Sequence, residues 1–241
     1  QMETRNKNYD SKFLEIKQLG FHPHMIPFVG CEWDTGRKLL LIAESCGIPL
    51  DDVDKSKKSV PRKKIKAIWK NWYTTPSNEL TPAQIHNTDI KNVFEYVIEN
   101  NETYGVRTYD AIKDAMLESC GKRLGDIGWG IYKHVAFANF YLRPSLMDKG
   151  GKHTKDFNAT DADIGNEIIG KIVDIIKPNF VYILSSAVKR NINKDVFVLN
   201  NIKFGVSCHP STCWWNRRLR NETKTGKEKF KHFLDKHKIF K

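Results

Sequence analysis

The stretch "KLLLIAESCG" (residues 38–47) decides how this chain folds. Leu39 to Ala43 are apolar without alternation, and the run is too short for an ordinary helix. Such a run, bounded by polar residues, reads as a strand buried on both faces. Strands of that kind belong to parallel sheets covered by helices above and below. The polar "ESCG" that follows marks the point where the chain leaves the sheet.

Three further stretches have the same character. "HVAFANFYLRP" (134–144) reads as a strand stopped by Pro144, "FVYILS" (180–185) as a third buried strand, and "NIKFGVS" (201–207) as a fourth. Between them the period changes to 3.6. Ile164, Ile168, Ile169, Ile172, Val173 and Ile176 share one side of a helix expected over 161–176, capped by Thr160 and ended by Lys177-Pro178. Helices are also expected near 89–99 and 108–120, briefly from 186, and over 225–237 with Phe230, Phe233 and Leu234 inward. After Pro61, a favourable first-turn residue, Ile65, Ile68, Trp69 and Trp72 mark another amphipathic helix, with Trp69 and Trp72 read as core. The Thr/Pro/Asn-rich stretch 74–88 reads as a loop. The prediction is one α/β domain over 1–241: a three-layer αβα arrangement with four mainly parallel strands and a basic, helical segment at about 51–128.

Charge and composition narrow the partners. Lys and Arg number 40 against 28 acidic residues, a net charge of +12. Residues 55–70, "KSKKSVPRKKIKAIWK", hold eight basic residues and no acid, Lys63 and Lys64 among them. A second basic cluster spans 217–231. Clustered positive charge favours a nucleic-acid partner. No apolar run approaches the ~20 residues of a membrane span. Five irregularly spaced cysteines argue against a disulfide framework and for a reducing cytoplasm. No secretory signal is visible, and Gln1, ahead of Met2, reads as an added residue. A monomer without an obligate protein partner is expected.

In parallel α/β sheets ligands bind beyond the carboxyl ends of the strands. That rule selects 43–49, 139–144, 185–190 and 208–216. These ends carry Glu44, Ser45, Cys46 and Gly47, then Asn139 and Phe140, and finally "GVSCHPSTCWWNRRLR" (205–220), which joins His209 to two tryptophans and three arginines.

Taken in order, "LLLIAESCG", "AFANFYLRP", "IIKPNFVYILSSAV" and "GVSCHPS" resemble the uracil-DNA glycosylase superfamily over roughly 27–50 and 129–235, which makes the unmatched 51–128 an insertion. The resemblance implies a monofunctional DNA glycosylase, needing no cofactor, that hydrolyses the base–sugar bond of an extruded pyrimidine. It implies catalytic roles for His209, as the donor to the departing base, and for Glu44 with Ser45, which handle water. Asn139 would read the base edge, with Phe140, Cys46 and Gly47 around the base; Trp33, Trp69, Trp72 and Trp129 are rival stacking rings. Ser211, Thr212, Cys213, Trp214, Trp215, Arg217, Arg218 and Arg220 would meet DNA, the 212–220 loop filling the vacated stack and clamping flanking phosphates. Ser45 stands where many members carry an acid, and Ala43 replaces the motif's first glycine. Gly47 stands where the strictest uracil-specific members have a tyrosine that excludes a 5-methyl group, so uracil and a larger 5-substituted pyrimidine are both open. Repair and defence against modified phage genomes would use the same chemistry.

Three other readings compete. Cys208, His209 and Cys213 have no recognised zinc spacing, and the cysteines do not match an iron–sulfur pattern. Asp34 and Glu44 lack the lysine that a metal-dependent nuclease motif requires. A DNA-binding module that has lost catalysis, or a sensor of modified DNA, stays open because of Ser45.

Overall fold

The computed structural model describes residues 3–49, 69–76, 80, 82–120, 127–147 and 157–240. Its strands are β1 (Phe28–Val29), β2 (Leu39–Ala43), β3 (Gly47–Pro49), β4 (Val135–Asn139), β5 (Ser145–Met147), β6 (Phe180–Ile183) and β7 (Lys203–Val206). Its helices are α1 (Asp10–Leu14), α2 (Lys17–Phe21), α3 (Pro82–Thr88), α4 (Ile90–Asn100), α5 (Arg107–Cys120), α6 (Ala159–Ile176), α7 (Ser186–Asn191), α8 (Asp195–Leu199) and α9 (Gly226–Lys236).

The main sheet runs β1-β4-β2-β6-β7. β2 is parallel to both β4 and β6, and β6 is parallel to β7. The sheet therefore has five strands, not four: β1 adds an antiparallel edge, pairing Phe28 with Phe137 and Val29 with Ala136. Two residues are too few for a periodic signal, so β1 is invisible to a pattern search. The expected long strand 134–144 is also corrected. It stops at Asn139, loops through Arg143 and resumes as β5, which pairs in parallel with β3. This small pair prolongs the β2–β4 partnership beyond the main sheet, helped by the Phe140 N–H to Ala43 carbonyl bond (3.0 Å) and the Ser145 N–H to Cys46 carbonyl bond (2.8 Å).

Strand alternation divides the core into two layers. Leu40, Ile42, Ala136, Ala138, Val181 and Ile183 face the layer formed by α1, α2 and α6. Leu39, Leu41, Val135, Phe137 and Tyr182 face α4, α5 and α9. The described part of the expected insertion includes three helices, two of which, α4 and α5, share one sheet face with α9.

Three local readings change. Residues 82–88 form α3 rather than loop; Pro82 suits its first turn. Asn158, not Thr160, caps α6, in a capping box with Asp161. Residues 69–74 form successive turns, with Trp72 N–H bonded to the Trp69 carbonyl (3.1 Å), and both indoles are buried. The rest of the helix expected from Pro61, with Lys63 and Lys64, lies outside the described residues.

Candidate functional site

β2 has β4 on one side and β6 on the other, so the chain reverses its direction of travel across the sheet there. Such switch points leave a crevice at the strands' carboxyl ends. A cavity of about 200 Å³ opens beside it, walled by Ala43, Ser45, Cys46, Gly47, Asn139 and His209 among others. Drug-sized ligands occupy about 300–1,000 Å³, so this space suits one small ring. Segments 70 residues apart in the chain thus bring Asn139 and His209 into one wall.

The wall also contains Val93 on α4, Val106, Thr108 and Tyr109 at the head of α5, Phe137 on β4, and Met147. Sequence reasoning missed all six. Phe137 was legible, because it shares a face with Asn139 two residues on. The α4 and α5 residues carry no motif and arrive only through packing. The Phe137 and Tyr109 rings meet edge to face at 5.5 Å, giving the cavity an aromatic side. Burial, with the nearby Cys46 thiol, pushes the Tyr109 phenol well above its ordinary range.

Phe140 is not part of the wall. It is 1% exposed on the opposite face of the sheet, and its backbone carbonyl would lie 2.6 Å from a Cβ at Gly165 of α6. Successive strand residues point to opposite faces, so the turn to α4 and α5 that carries Asn139 inward carries Phe140 away. Trp33, Trp69, Trp72 and Trp129 are buried and also absent from the wall.

His209 sits in a tight turn. Its carbonyl accepts from Thr212 N–H (3.0 Å) and Thr212 Oγ1 (2.8 Å). Its Nδ1 accepts from the Ser211 backbone N–H (3.3 Å) and lies 2.7 Å from Ser211 Oγ. A backbone N–H can only donate, so Nδ1 carries the lone pair. A neutral ring then bears its proton on Nε2. Ser211 therefore orients the imidazole rather than standing apart from it.

Asn139 Nδ2 donates to Cys46 Sγ (3.0 Å), and the Cys46 thiol donates to the Thr88 carbonyl (3.2 Å). Burial pushes the thiol up to about 12, against the opposing effect of Asn139, so sulfur keeps its proton at neutral pH. Ser45 also lines the cavity, but its Oγ has almost no accessible surface and no hydrogen-bond partner. Buried hydroxyls are normally bonded, so this atom is a polar group left unsatisfied inside the protein. Glu44 does not line the cavity; its Oε2 accepts from Ser185 Oγ (2.7 Å). Every charged side chain among the described residues stays out of the wall.

Beyond His209 the chain turns outward. Cys213, Trp214, Arg217, Arg218 and Arg220 are exposed, with Arg218 at 3.8 Å from Glu228. Trp215 differs: it is 1% exposed and packs on Phe230 of α9. It cannot enter a duplex without unpacking that helix, so of the two indoles expected to meet DNA only Trp214 is exposed. Among the described residues no group of three or more His, Cys, Asp or Glu side chains is placed to hold a metal ion, and no helix is long and apolar enough to cross a membrane.

Comparison with family models finds no match for this chain, and comparison with curated proteins finds none.

Proposed function

We propose that this protein is a DNA glycosylase that takes one unstacked pyrimidine into the cavity between Asn139 and His209. The observation that carries the reading is their convergence on one ring-sized cavity, without a charged side chain among its described wall residues, whose rim continues into an exposed basic loop. Leaving-base chemistry develops negative charge on a base carbonyl, and a positioned Nε2–H can stabilise it by about 3 kcal/mol. Ser45, a residue of the cavity wall, would handle the water that attacks the sugar. Trp214 and the three arginines would support the opened duplex, stacking contributing about 1–3 kcal/mol per base. Uracil and larger 5-substituted pyrimidines are both candidates, since Gly47 adds no side chain to the wall.

The test is incubation with DNAs carrying uracil or 5-substituted pyrimidines, scoring abasic sites. His209→Ala should lower single-turnover cleavage by about 10²–10³ while leaving DNA affinity unchanged. Absence of abasic sites on every substrate, with tight and salt-sensitive binding retained, would instead favour a binding module. One observation favours that second reading: Glu44, the acid that directly follows the first strand, is held by Ser185 outside the cavity.

A further inference from the structure

The bonds around Cys46 have a forced direction. The Thr88 carbonyl, at the end of α3, can only accept, so the single thiol proton of Cys46 points to it (3.2 Å). The sulfur is then left with lone pairs alone toward Asn139 at 3.0 Å. Only the amide NH₂ can face it. The backbone gives Cys46 little freedom to turn, because its carbonyl is bonded to Ser145 N–H (2.8 Å) and Gly47 begins the β3–β5 pairing. We infer that Cys46 is a positioning residue that locks the Asn139 side-chain amide in one of its two orientations, so that the cavity reads one pyrimidine edge and rejects the other.

This inference rests on the proposed base-binding role of Asn139. The chemistry behind it is general. Along the reading edge, uracil-type rings present an acceptor at position 4 and a donor at position 3. Cytosine-type rings present a donor at position 4 and an acceptor at position 3. A carboxamide matches either edge, but in opposite orientations, related by a half-turn about its terminal bond. An amide free to turn therefore discriminates poorly, and a clamped one discriminates well. Turning it here would set Oδ1 against the sulfur lone pairs, or require the thiol to leave the Thr88 carbonyl. The helix that supplies that carbonyl lies in the segment joining β2 to β4, so residues outside the strand-end motifs would set base choice.

Two variants test the clamp. Cys46→Ser keeps one donor and one acceptor; Cys46→Ala removes both. In ¹⁵N-asparagine-labelled protein, Cys46→Ala should shift the Asn139 side-chain NH₂ signals and speed their exchange, and Cys46→Ser should hold them near wild type. With matched oligonucleotides, the wild-type preference between uracil-type and cytosine-type bases should fall about tenfold in Cys46→Ala, the loss of roughly one hydrogen bond's bias, and be retained in Cys46→Ser. Unmoved NH₂ signals in Cys46→Ala, or an unchanged preference, would overturn the inference. Released NH₂ signals in a protein that neither binds nor cuts any such DNA would leave the clamp standing and remove the glycosylase reading instead.

Discussion

Trp215 is 1% exposed against Phe230, while its neighbour Trp214 keeps 42% of its surface in solvent. The difference arises in one short turn over Cys213–Trp215, held by the Trp215 N–H to Thr212 carbonyl bond (3.0 Å). It separates two roles for one residue type. Trp215→Ala should cost about 3–5 kcal/mol of stability, read as a drop in the denaturant midpoint. Trp214→Ala should leave that midpoint unchanged and weaken binding to DNA containing a flippable base by about 10-fold, the lower end of base-stacking energies. Equal loss of stability in both variants would mean that the two indoles share one structural role. At the same scale, alternation along β4 shows what was readable: Phe137 and Asn139 must share a face, and Phe140 must oppose them. The adjacency of Phe140 to Asn139 in sequence is misleading for that reason.

At the scale of elements, the loop after β4 is tied to α6 by a buried ion pair. Arg143 donates from Nε to Asp161 Oδ1 (3.0 Å) and from its terminal nitrogen to Oδ2 (2.8 Å). Tyr73 OH adds a 2.6 Å bond to Asp161, and Asn158 N–H a 2.8 Å one. The Arg143 guanidinium also stacks near Trp69 and Phe157. Burial by itself would raise the Asp161 pKa, but Arg143, Tyr73 and the Asn158 amide together hold it below its usual value. Removing one partner strands a buried charge, so Arg143→Ala should destabilise by about 3–5 kcal/mol. Arg143→Met with Asp161→Leu, an apolar pair of similar size, should recover much of that loss in the same unfolding measurement. An Arg143→Ala protein as stable as wild type would show that the pair contributes nothing. The helices α6, α7 and α9 were legible because their apolar stripes are long or their caps explicit, as with Ser185 on α7 and the Thr225–Glu228 box on α9. α3 was not, since seven residues led by a proline between polar neighbours resemble a loop.

Across the whole molecule, the chain before β1 and the segment after Trp69 meet in a buried histidine pair. His22 is 0% exposed, stacks on Trp72 with ring centroids 3.9 Å apart, and shares its Nε2 with the Trp72 carbonyl (2.6 Å). His24 lies beside it, near Asp89 and Lys91, and burial lowers its pKa from 6.5 to about 4. Burial lowers that of His22 as well. Both histidines are therefore neutral when folded, and the unfolded chain binds protons first as pH falls. The stability they permit is complete above about pH 6.5 and declines as pH drops toward 4. Asp161, whose pKa is also depressed, adds its loss only further down, below the ordinary carboxylate range. Urea midpoints should fall between pH 7 and 4.5, and His24→Gln should flatten that slope. A midpoint constant over this interval would contradict the burial of these rings.

What the sequence determined by itself is the set of long-patterned elements: apolar runs without alternation gave parallel strands, 3.6-residue stripes gave helices, and the strand-end rule pointed to Ser45, Cys46, Gly47, Asn139 and His209. Those signals are local, because they depend only on period and flanking residues. Tertiary structure alone decided the antiparallel β1 edge, the entry of α4 and α5 into the cavity wall, the burial of Trp215 and the chain of bonds from Thr88 through Cys46 to Asn139. Each of these joins residues from separate elements, through contacts that exist only once the layers have packed and that leave no periodic trace in the chain.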